Sequence, residues 1–280
     1  MNYKRIIPRL DIKDHNLVKG INLEGLRVLG KPDFFAKIYT DEYADELLYH
    51  DTVASLFGKN FLLDMINKVA KDVFIPLNVG GGIKNLSDIE LILKAGADKV
   101  SINSEAARNP KLISDAATKF GSSTISIAVQ FIKTNNDIKV LIDNGREITN
   151  LNIYKWLHEI QEKGAGEIIL TDIANEGTGK GPKINEIEEL IKQIKIPIVY
   201  HGGIGTKEHV LRLLEIENLN GVCISSMLHY NLIRESKNNF VDDKNFIGNH
   251  EFLKNKLLFG RFESVSLKDL KSYLKNYNIE

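Results

Sequence analysis

Two glycine pairs in this sequence are each followed by a short polar segment, a pattern that suits phosphate binding. Gly81 and Gly82 precede Asn103-Ser104, and Gly202-Gly203 precedes Ser225-Ser226. Glycine pairs let backbone N–H groups approach an anion closely, and small polar side chains add hydrogen bonds. A single pair would be equally consistent with a tight turn, but two matching copies favour phosphate. We therefore predict two phosphate-binding sites and a substrate with a phosphate at each end.

Several other side chains follow apolar segments, where they could act on such a substrate. Asp11 could be a general acid or base if its neighbours tune its pKa, or a buried carboxylate that bonds to a turn. Lys19 could close over substrate or be a solvated lysine. Asp51 and Thr171-Asp172 end two further segments, where structural hydrogen bonding and substrate contact are equally expected. Gly177 lies in a glycine-containing loop and predicts a lid.

These residues lie at the ends of eight short apolar segments that alternate with segments of helical periodicity. The predicted strands are residues 5–12, 46–51, 74–79, 99–103, 124–131, 167–172, 197–201 and 221–225. The predicted helices are 60–71, 86–94, 110–119, 153–163, 185–195 and 207–215. Eight strands, each followed by a helix or helix-like segment, predict an α/β fold, the closed (β/α)₈ TIM barrel. In such barrels the functional residues lie at the C-terminal ends of the strands.

The chain also repeats itself at an offset of about 120 residues. Residues 75–83 align without a gap on 196–204, and residues 44–51 align on 165–172. The repeat predicts a single domain over 1–280, built from half-barrels at about 1–120 and 121–231. Residues 232–263 have no place in the repeat and are predicted to be an insertion. A final helix is predicted at 266–277, with Ser266 as its N-cap.

Composition excludes several classes of function. The chain has 280 residues, with 37 Lys+Arg and 37 Asp+Glu, so it lacks the basic excess of a general nucleic-acid binder. Its one cysteine, Cys223, cannot form an internal disulfide and is expected in the core. The histidines show no metal-ligand spacing. With no signal sequence or long apolar run, we expect a cytoplasmic protein without a metal, a cofactor or a membrane contact.

The motifs together resemble one known family over residues 1–231 and again at the last helix. They are KRIIP at 4–8, LDIKD at 10–14, VKG at 18–20, VGGGI at 79–83, GADKVSIN at 96–103 and EGT at 176–178. These motifs resemble the HisF family, the cyclase subunits of imidazole glycerol phosphate synthase.

The resemblance implies a substrate, a partner and an internal route for ammonia. A glutaminase subunit docks on the bottom of the barrel as a heterodimer, and its ammonia passes through the barrel core. At the top, the bisphosphorylated substrate PRFAR is cleaved and cyclised to imidazole glycerol phosphate and aminoimidazole carboxamide ribotide. The resemblance implies that Asp11 is catalytic and that Asp98 contacts the glutaminase. The family's ring of four charges at the channel entrance corresponds to Arg5, Glu46, Lys99 and Glu167, which could equally be a salt-bridged plug.

The sequence departs from the family pattern at three positions. Gln130 stands where the family has its second catalytic carboxylate. Glutamine can form hydrogen bonds but cannot exchange a proton, so its presence could lower activity by about 10²–10⁴-fold. Glu176 replaces an aspartate, and Arg9 replaces a small residue near the start of the first strand.

Four functions remain open at this point. The first is a working cyclase, and the second is a divergent relative that channels ammonia to a sugar-amidating enzyme, as Gln130 and the insertion would suit. The third is a non-catalytic docking subunit that only conducts ammonia. The fourth is a sugar isomerase of the same superfamily, against which the ring of charges argues, because an isomerase needs no ammonia channel.

Overall fold

Eight parallel strands form a closed barrel in the computed structural model, which describes residues 3–53, 60–134, 137–235 and 262–279. The strands, with two hairpins, are β1 (Arg5–Lys13), β2 (Asn16–Ile21), β3 (Glu24–Gly30), β4 (Leu47–Asp51), β5 (Leu77–Gly80), β6 (Lys99–Ile102), β7 (Ile125–Lys133), β8 (Ile138–Ile142), β9 (Glu147–Asn152), β10 (Glu167–Asp172), β11 (Ile198–His201) and β12 (Gly221–Ile224). The barrel order is β1-β4-β5-β6-β7-β10-β11-β12, and β12 pairs in parallel with β1. The predicted (β/α)₈ barrel is confirmed.

Helices connect the barrel strands and cover their outer faces. They are α1 (Pro32–Asp41), α2 (Asn60–Val69), α3 (Leu86–Lys94), α4 (Ser104–Arg108), α5 (Lys111–Phe120), α6 (Ile153–Glu162), α7 (Ile184–Ile191), α8 (Lys207–Leu214), α9 (Ser226–Glu235) and α10 (Leu267–Lys275). Side-chain caps fix several helix starts: Asn85, Thr206 and Ser266 each accept a hydrogen bond from a backbone N–H in the first turn. The predicted N-cap of the last helix is therefore confirmed.

Two antiparallel hairpins interrupt the strand–helix alternation at equivalent places in the two halves. The hairpin β2–β3 follows β1, and the hairpin β8–β9 follows β7. Their turns use left-handed residues, which are Asn22 and Leu23 in the first and Asp143, Asn144 and Gly145 in the second. Each of these two strands is still followed by a helix, but the sequence analysis did not predict the hairpin that precedes it.

The predicted insertion at 232–263 lies largely outside the described residues. Its first four residues continue α9, which ends at Glu235, and the bounds of the insertion stay a prediction. The helix continues because Leu232 and Ile233 are buried against the core. Within the described part of the chain, the helices are too short or too polar to cross a membrane.

Candidate active site

Asp11 lies at the mouth of the barrel, near the C-terminal end of β1, and is 2% exposed. Arg9 precedes it by two residues on the same strand, so both side chains point into the barrel. Arg9 Nε donates to Asp11 Oδ1 at 2.8 Å, and Lys19 Nζ donates to Oδ2 at 3.1 Å. Burial alone would raise the pKa of Asp11, but the Arg9 and Lys19 cations hold this pKa well below its usual range. Asp11 is therefore ionised in this arrangement.

Glu176 is the second buried carboxylate of the mouth and pairs with the same lysine, Lys19. Its Oε2 accepts a hydrogen bond from the backbone N–H of Leu23, at the tip of the first hairpin, at 3.0 Å. Burial raises the pKa of Glu176, but Lys19 outweighs burial and lowers it to about 2. A side chain at Gly177 would collide with the backbone of Gly20. The hairpin β2–β3 therefore covers the mouth, and the loop that contains Gly177 packs against it.

Gln130 lies on β7 at the same level of the barrel. It is in register with Thr171 on β10, which is in register with His201 on β11. Arg9 reaches this row, because its Nη1 donates to Thr171 Oγ1 at 3.4 Å. Gln130 Oε1 and Arg9 Nη2 are buried and have no hydrogen-bond partner among the described residues. Arg9 thus lies in the middle of β1, not near its start as the sequence analysis placed it.

Two neutral histidines complete the mouth. Burial, together with the Arg9 cation, lowers the pKa of His50 to about 4 and also lowers the pKa of His201. His201 Nδ1 lies 3.0 Å from the carbonyl oxygen of Cys223, so Nδ1 carries the proton and Nε2 is an acceptor. Nε2 lies 3.6 Å from Glu176 Oε1. The spacing of these histidines in the sequence argues against a metal site, and no sequence pattern predicts another role for them.

The two glycine pairs adopt the same backbone conformation on opposite sides of the mouth. Gly81 and Gly82 have φ of 122° and 63°, and Gly202 and Gly203 have φ of 132° and 72°. A Cβ at Gly81 or at Gly202 would lie 2.6 or 2.7 Å from the carbonyl oxygen that ends the preceding strand. Only glycine fits these positions, because both the φ values and the close approach exclude a side chain. The repeat seen in the sequence is thus a repeat of backbone geometry.

A cleft opens beside each glycine pair. The first is lined by Asn103, Ser104 and Arg108. The second, which is smaller, is lined by Ser225 and Ser226. The strand-end residues predicted from the sequence therefore do line the clefts with their glycine pairs. Arg108, a cation that the sequence analysis missed, follows Ser104 by one helical turn, and that spacing was the available signal.

The two symmetric strand-end aspartates make local hydrogen bonds. Asp51 Oδ1 accepts from the backbone N–H of Val53 at 2.9 Å. Asp172 Oδ2 accepts from Asn175 Nδ2 at 2.6 Å, and burial raises the pKa of Asp172. Both aspartates thus make structural hydrogen bonds, and substrate contact by either of them stays a prediction.

Four charges form a ring at the opposite end of the barrel, where the strands begin. Arg5 Nη1 lies 2.8 Å from Glu46 Oε2, and its Nη2 pairs with Glu167. Lys99 Nζ lies 2.7 Å from Glu46 Oε2 and 3.7 Å from Glu167 Oε2. Each cation therefore contacts both carboxylates, which closes the ring.

Polar and apolar layers separate this ring from the mouth. Directly above the ring, Asn78 Nδ2 donates to Glu46 Oε1 at 3.2 Å and to Ser126 Oγ at 3.1 Å. An inner apolar cluster follows, made of Ile7, Leu48, Ile169, Val199 and Cys223. Cys223 is 1% exposed, and burial raises the pKa of its thiol, so the prediction of an inert core cysteine is confirmed.

The duplicated backbone geometry, the ionic mouth and the ring define a (β/α)₈ barrel of the half-barrel-repeat class. A profile of the family described as "Histidine biosynthesis protein" matches residues 5–234. The chain is 46% identical to "Imidazole glycerol phosphate synthase subunit HisF" of Legionella pneumophila over 209 residues, 74% of this chain and 99% of that protein. Proteins of the same name from Campylobacter concisus and Natranaerobius thermophilus are 42% identical over 234 residues and 36% identical over 277 residues. They cover 84% and 99% of this chain, and the matched parts are 92% and 98% of the two relatives.

The chain belongs to the HisF family of histidine-biosynthesis proteins, the cyclase subunits of imidazole glycerol phosphate synthase.

Proposed function

We propose that the chain is the cyclase subunit of a cytoplasmic glutamine amidotransferase, which uses ammonia to convert PRFAR into imidazole glycerol phosphate and aminoimidazole carboxamide ribotide. The observation that carries this proposal is the pair of equivalent glycine clefts on opposite sides of Asp11. Backbone N–H groups at such turns suit the two terminal phosphates of one long substrate. The reacting part of the substrate then lies between the clefts, beside Asp11.

Asp11 is the group placed to move protons in this reaction. Ammonia gains positive charge when it attacks carbon, so a nearby base must remove a proton. Asp11 is ionised in the closed mouth because it lies between Arg9 and Lys19. Lys19 belongs to the covering hairpin, so opening of the hairpin would withdraw one of the two cations and raise the pKa of Asp11. The closed arrangement thus keeps Asp11 ionised but makes it a weak base, and opening of the hairpin would bring its pKa closer to the range in which it can take a proton.

Gln130 favours a second candidate function, in which the barrel supplies ammonia to a sugar-amidating enzyme. The buried Gln130 faces the mouth from the strand opposite Asp11, where a second carboxylate would act as the partner acid. An amide there cannot exchange a proton, so cyclisation loses one of its two proton-transfer groups. Supply of ammonia needs neither group.

The ring at the bottom is proposed as the ammonia entrance and as the centre of the glutaminase interface. Three large aromatic side chains lie exposed at the same end of the barrel: Tyr3 is 61% exposed, Tyr43 74% and Phe74 87%. Exposed aromatic residues around a polar centre are typical of protein interfaces. Asp98 is exposed at this end too, where its Oδ2 accepts a hydrogen bond from the backbone N–H of Leu77 at 2.8 Å.

Replacing Glu46 by Gln is expected to uncouple the two subunits. Glu46 Oε2 holds both cations of the ring, so the neutral amide weakens two ion pairs, at a cost of about 1–3 kcal/mol in stability. In the complex with the glutaminase, the amount of glutamine consumed per product formed should rise severalfold. Glu90→Gln, which removes an exposed acid paired with Lys94, is the matched control and should leave this ratio unchanged. An unchanged ratio in Glu46→Gln would contradict the entrance role.

Turnover of PRFAR with excess ammonium salt and no partner tests the function itself. We expect imidazole glycerol phosphate as a product, and Gln130→Asp is expected to raise its rate of formation by restoring a second carboxylate. No product from either protein, with the glutaminase still bound, would reject the cyclase function and leave ammonia supply as the remaining candidate.

A further inference from the structure

The mouth contains one unpaired hydrogen-bond donor and two acceptors at the same level of the barrel. Arg9 Nη2 is the donor, and Gln130 Oε1 and His201 Nε2 are the acceptors; all three atoms are buried without a hydrogen-bond partner among the described residues. Unpaired buried polar atoms are rare in proteins, because leaving one unsatisfied costs about 1–3 kcal/mol. Three of them together therefore indicate a place for a small polar molecule.

The strand register and one hydrogen bond relate the three residues to Thr171. Thr171 is in register with Gln130 on one side and with His201 on the other, and neighbouring strands lie about 4.8 Å apart. Arg9 Nη1 donates to Thr171 Oγ1 at 3.4 Å, which places the guanidinium against the middle of this row. Its Nη2 is attached to the same carbon atom as Nη1. Arg9 Nη2 therefore lies near Thr171, whose strand runs between those of Gln130 and His201.

This row also lies where the apolar layer of the barrel meets the ionic mouth. Ile7, two residues before Arg9 on β1, belongs to the inner apolar cluster, and Cys223 of that cluster accepts a hydrogen bond from His201. Arg9 Nε, which shares an edge of the guanidinium with Nη2, holds Asp11. Arg9 therefore links the apolar layer to the ionic mouth, and its unpaired Nη2 lies on the side of Asp11.

We propose that Arg9, Gln130 and His201 form a receiving site for neutral ammonia. This inference rests on the proposed use of ammonia by the protein. The nitrogen lone pair would accept a hydrogen bond from Arg9 Nη2, and two N–H groups would donate to Gln130 Oε1 and His201 Nε2. Ammonium has no lone pair to accept a hydrogen bond, so only neutral ammonia matches the donor Arg9 Nη2. The site therefore selects the nucleophilic form of the molecule and holds it beside Asp11.

Two of the departures from the family pattern, Arg9 and Gln130, contribute atoms to this site. Arg9 supplies the donor, and Gln130 supplies an acceptor that stays neutral beside that cation. Arg9 and Gln130 are thus matched to one another across the barrel.

Nuclear magnetic resonance of the full chain labelled with ¹⁵N-arginine tests the receiving site without any turnover. Ammonium chloride is added at alkaline pH, where neutral ammonia is abundant, and at mildly acidic pH, where almost all of it is ammonium, with potassium chloride at equal ionic strength as the reference. We expect the Arg9 guanidinium signals, assigned by their loss in Arg9→Lys, to shift saturably at alkaline pH only. Equal spectra in the two salts at alkaline pH, or the same shift at acidic pH, would overturn the receiving site.

Two glutamine variants test whether the shift of the Arg9 signals arises from ammonia bound beside Gln130. Gln130→Leu should weaken the apparent affinity for ammonia about tenfold, as expected for the loss of one buried hydrogen bond. Gln193→Leu, at an exposed position outside the barrel, should leave it unchanged. An undiminished response in folded Gln130→Leu would contradict the proposal, and the comparison of pH values in the unaltered protein decides the matter if that variant does not fold. The resonance shifts report ammonia binding directly, so the two proposals can fail separately. If ammonia binds but PRFAR is not converted, only the cyclase function is rejected. If PRFAR is converted but ammonia does not bind, only the receiving site is rejected.

Discussion

Replacing Asp11 by Asn is expected to lower ammonia-dependent turnover of PRFAR by about 10²–10⁴-fold, the range for loss of a general acid–base group. The substitution leaves the shape of the side chain intact but removes its charge and its ability to take a proton. The fall should appear in kcat more than in KM, because the phosphate clefts that hold the substrate are untouched. Steady-state kinetics with ammonium salt measures both constants.

The same substitution also has a structural cost, which the experiment must separate from catalysis. Arg9 and Lys19 keep only Glu176 as a buried counter-charge, and breaking a buried ion pair costs about 3–5 kcal/mol. Turnover is therefore compared at a temperature at which circular dichroism shows the variant to be folded. Asp14→Asn, at an exposed turn position with φ of 53° that asparagine tolerates, is the control and should retain full activity. A folded Asp11→Asn protein with undiminished kcat would remove Asp11 from the chemistry.

Lowering the pH from 7 to 5 is expected to destabilise the protein by about 4 kcal/mol, a large part of the stability of a typical domain. Burial lowers the pKa of His50 to about 4 and that of His229 to about 3. Between these values and the unfolded pKa of about 6.5, the unfolded chain binds a proton at each site and the folded chain does not. Stability is therefore complete above pH 6.5 and falls as the pH drops below it, by about 2 kcal/mol per histidine at pH 5. His201, whose pKa is also lowered, acts in the same direction.

Urea unfolding at the two pH values measures this loss, and a histidine variant assigns it. His229 is fully buried, with Nδ1 2.6 Å from Tyr39 Oη and Nε2 2.9 Å from the carbonyl oxygen of Arg9. His229→Gln should reduce the pH-dependent difference by about 2 kcal/mol, whatever its effect on stability at pH 7. His158→Gln, at an exposed helix position, should leave the difference as it is. If the loss of stability between pH 7 and pH 5 is the same in His229→Gln as in the unaltered protein, His229 is not its source.

The fold follows from the sequence more directly than the site does. Strand and helix positions could be predicted because their apolar periodicity is strong and occurs twice. The second hairpin carried a usable signal, since Asn144-Gly145 is a dipeptide typical of tight hairpin turns. The first hairpin lacked one, because Asn22-Leu23 places an apolar residue in a left-handed conformation. Leu23 fits there because it packs against Leu141 and Ile173, a contact that local sequence cannot reveal.

In the site, too, some features follow from local sequence and others depend on contacts between distant parts of the chain. The i, i+2 spacing of Arg9 and Asp11 on one strand predicts a shared face, and that signal was available. The pairing of Lys19 with Glu176 depends on how one loop folds over another. The unpaired atoms of Arg9 and Gln130 depend on strand register around the whole barrel, which a single sequence does not specify.

The seam at which β12 pairs with β1 closes the barrel, and it can form only late in synthesis of the chain. Arg5 to Pro8 pair with Gly221 to Ile224, so one edge of the first strand stays open until the eighth barrel strand has left the ribosome. At about 5–20 residues per second, this delay lasts about 10–40 s. An unpaired strand edge is a template for association with other chains. Newly made protein can therefore associate through this edge during that interval, whereas the finished barrel exposes no such edge at this seam.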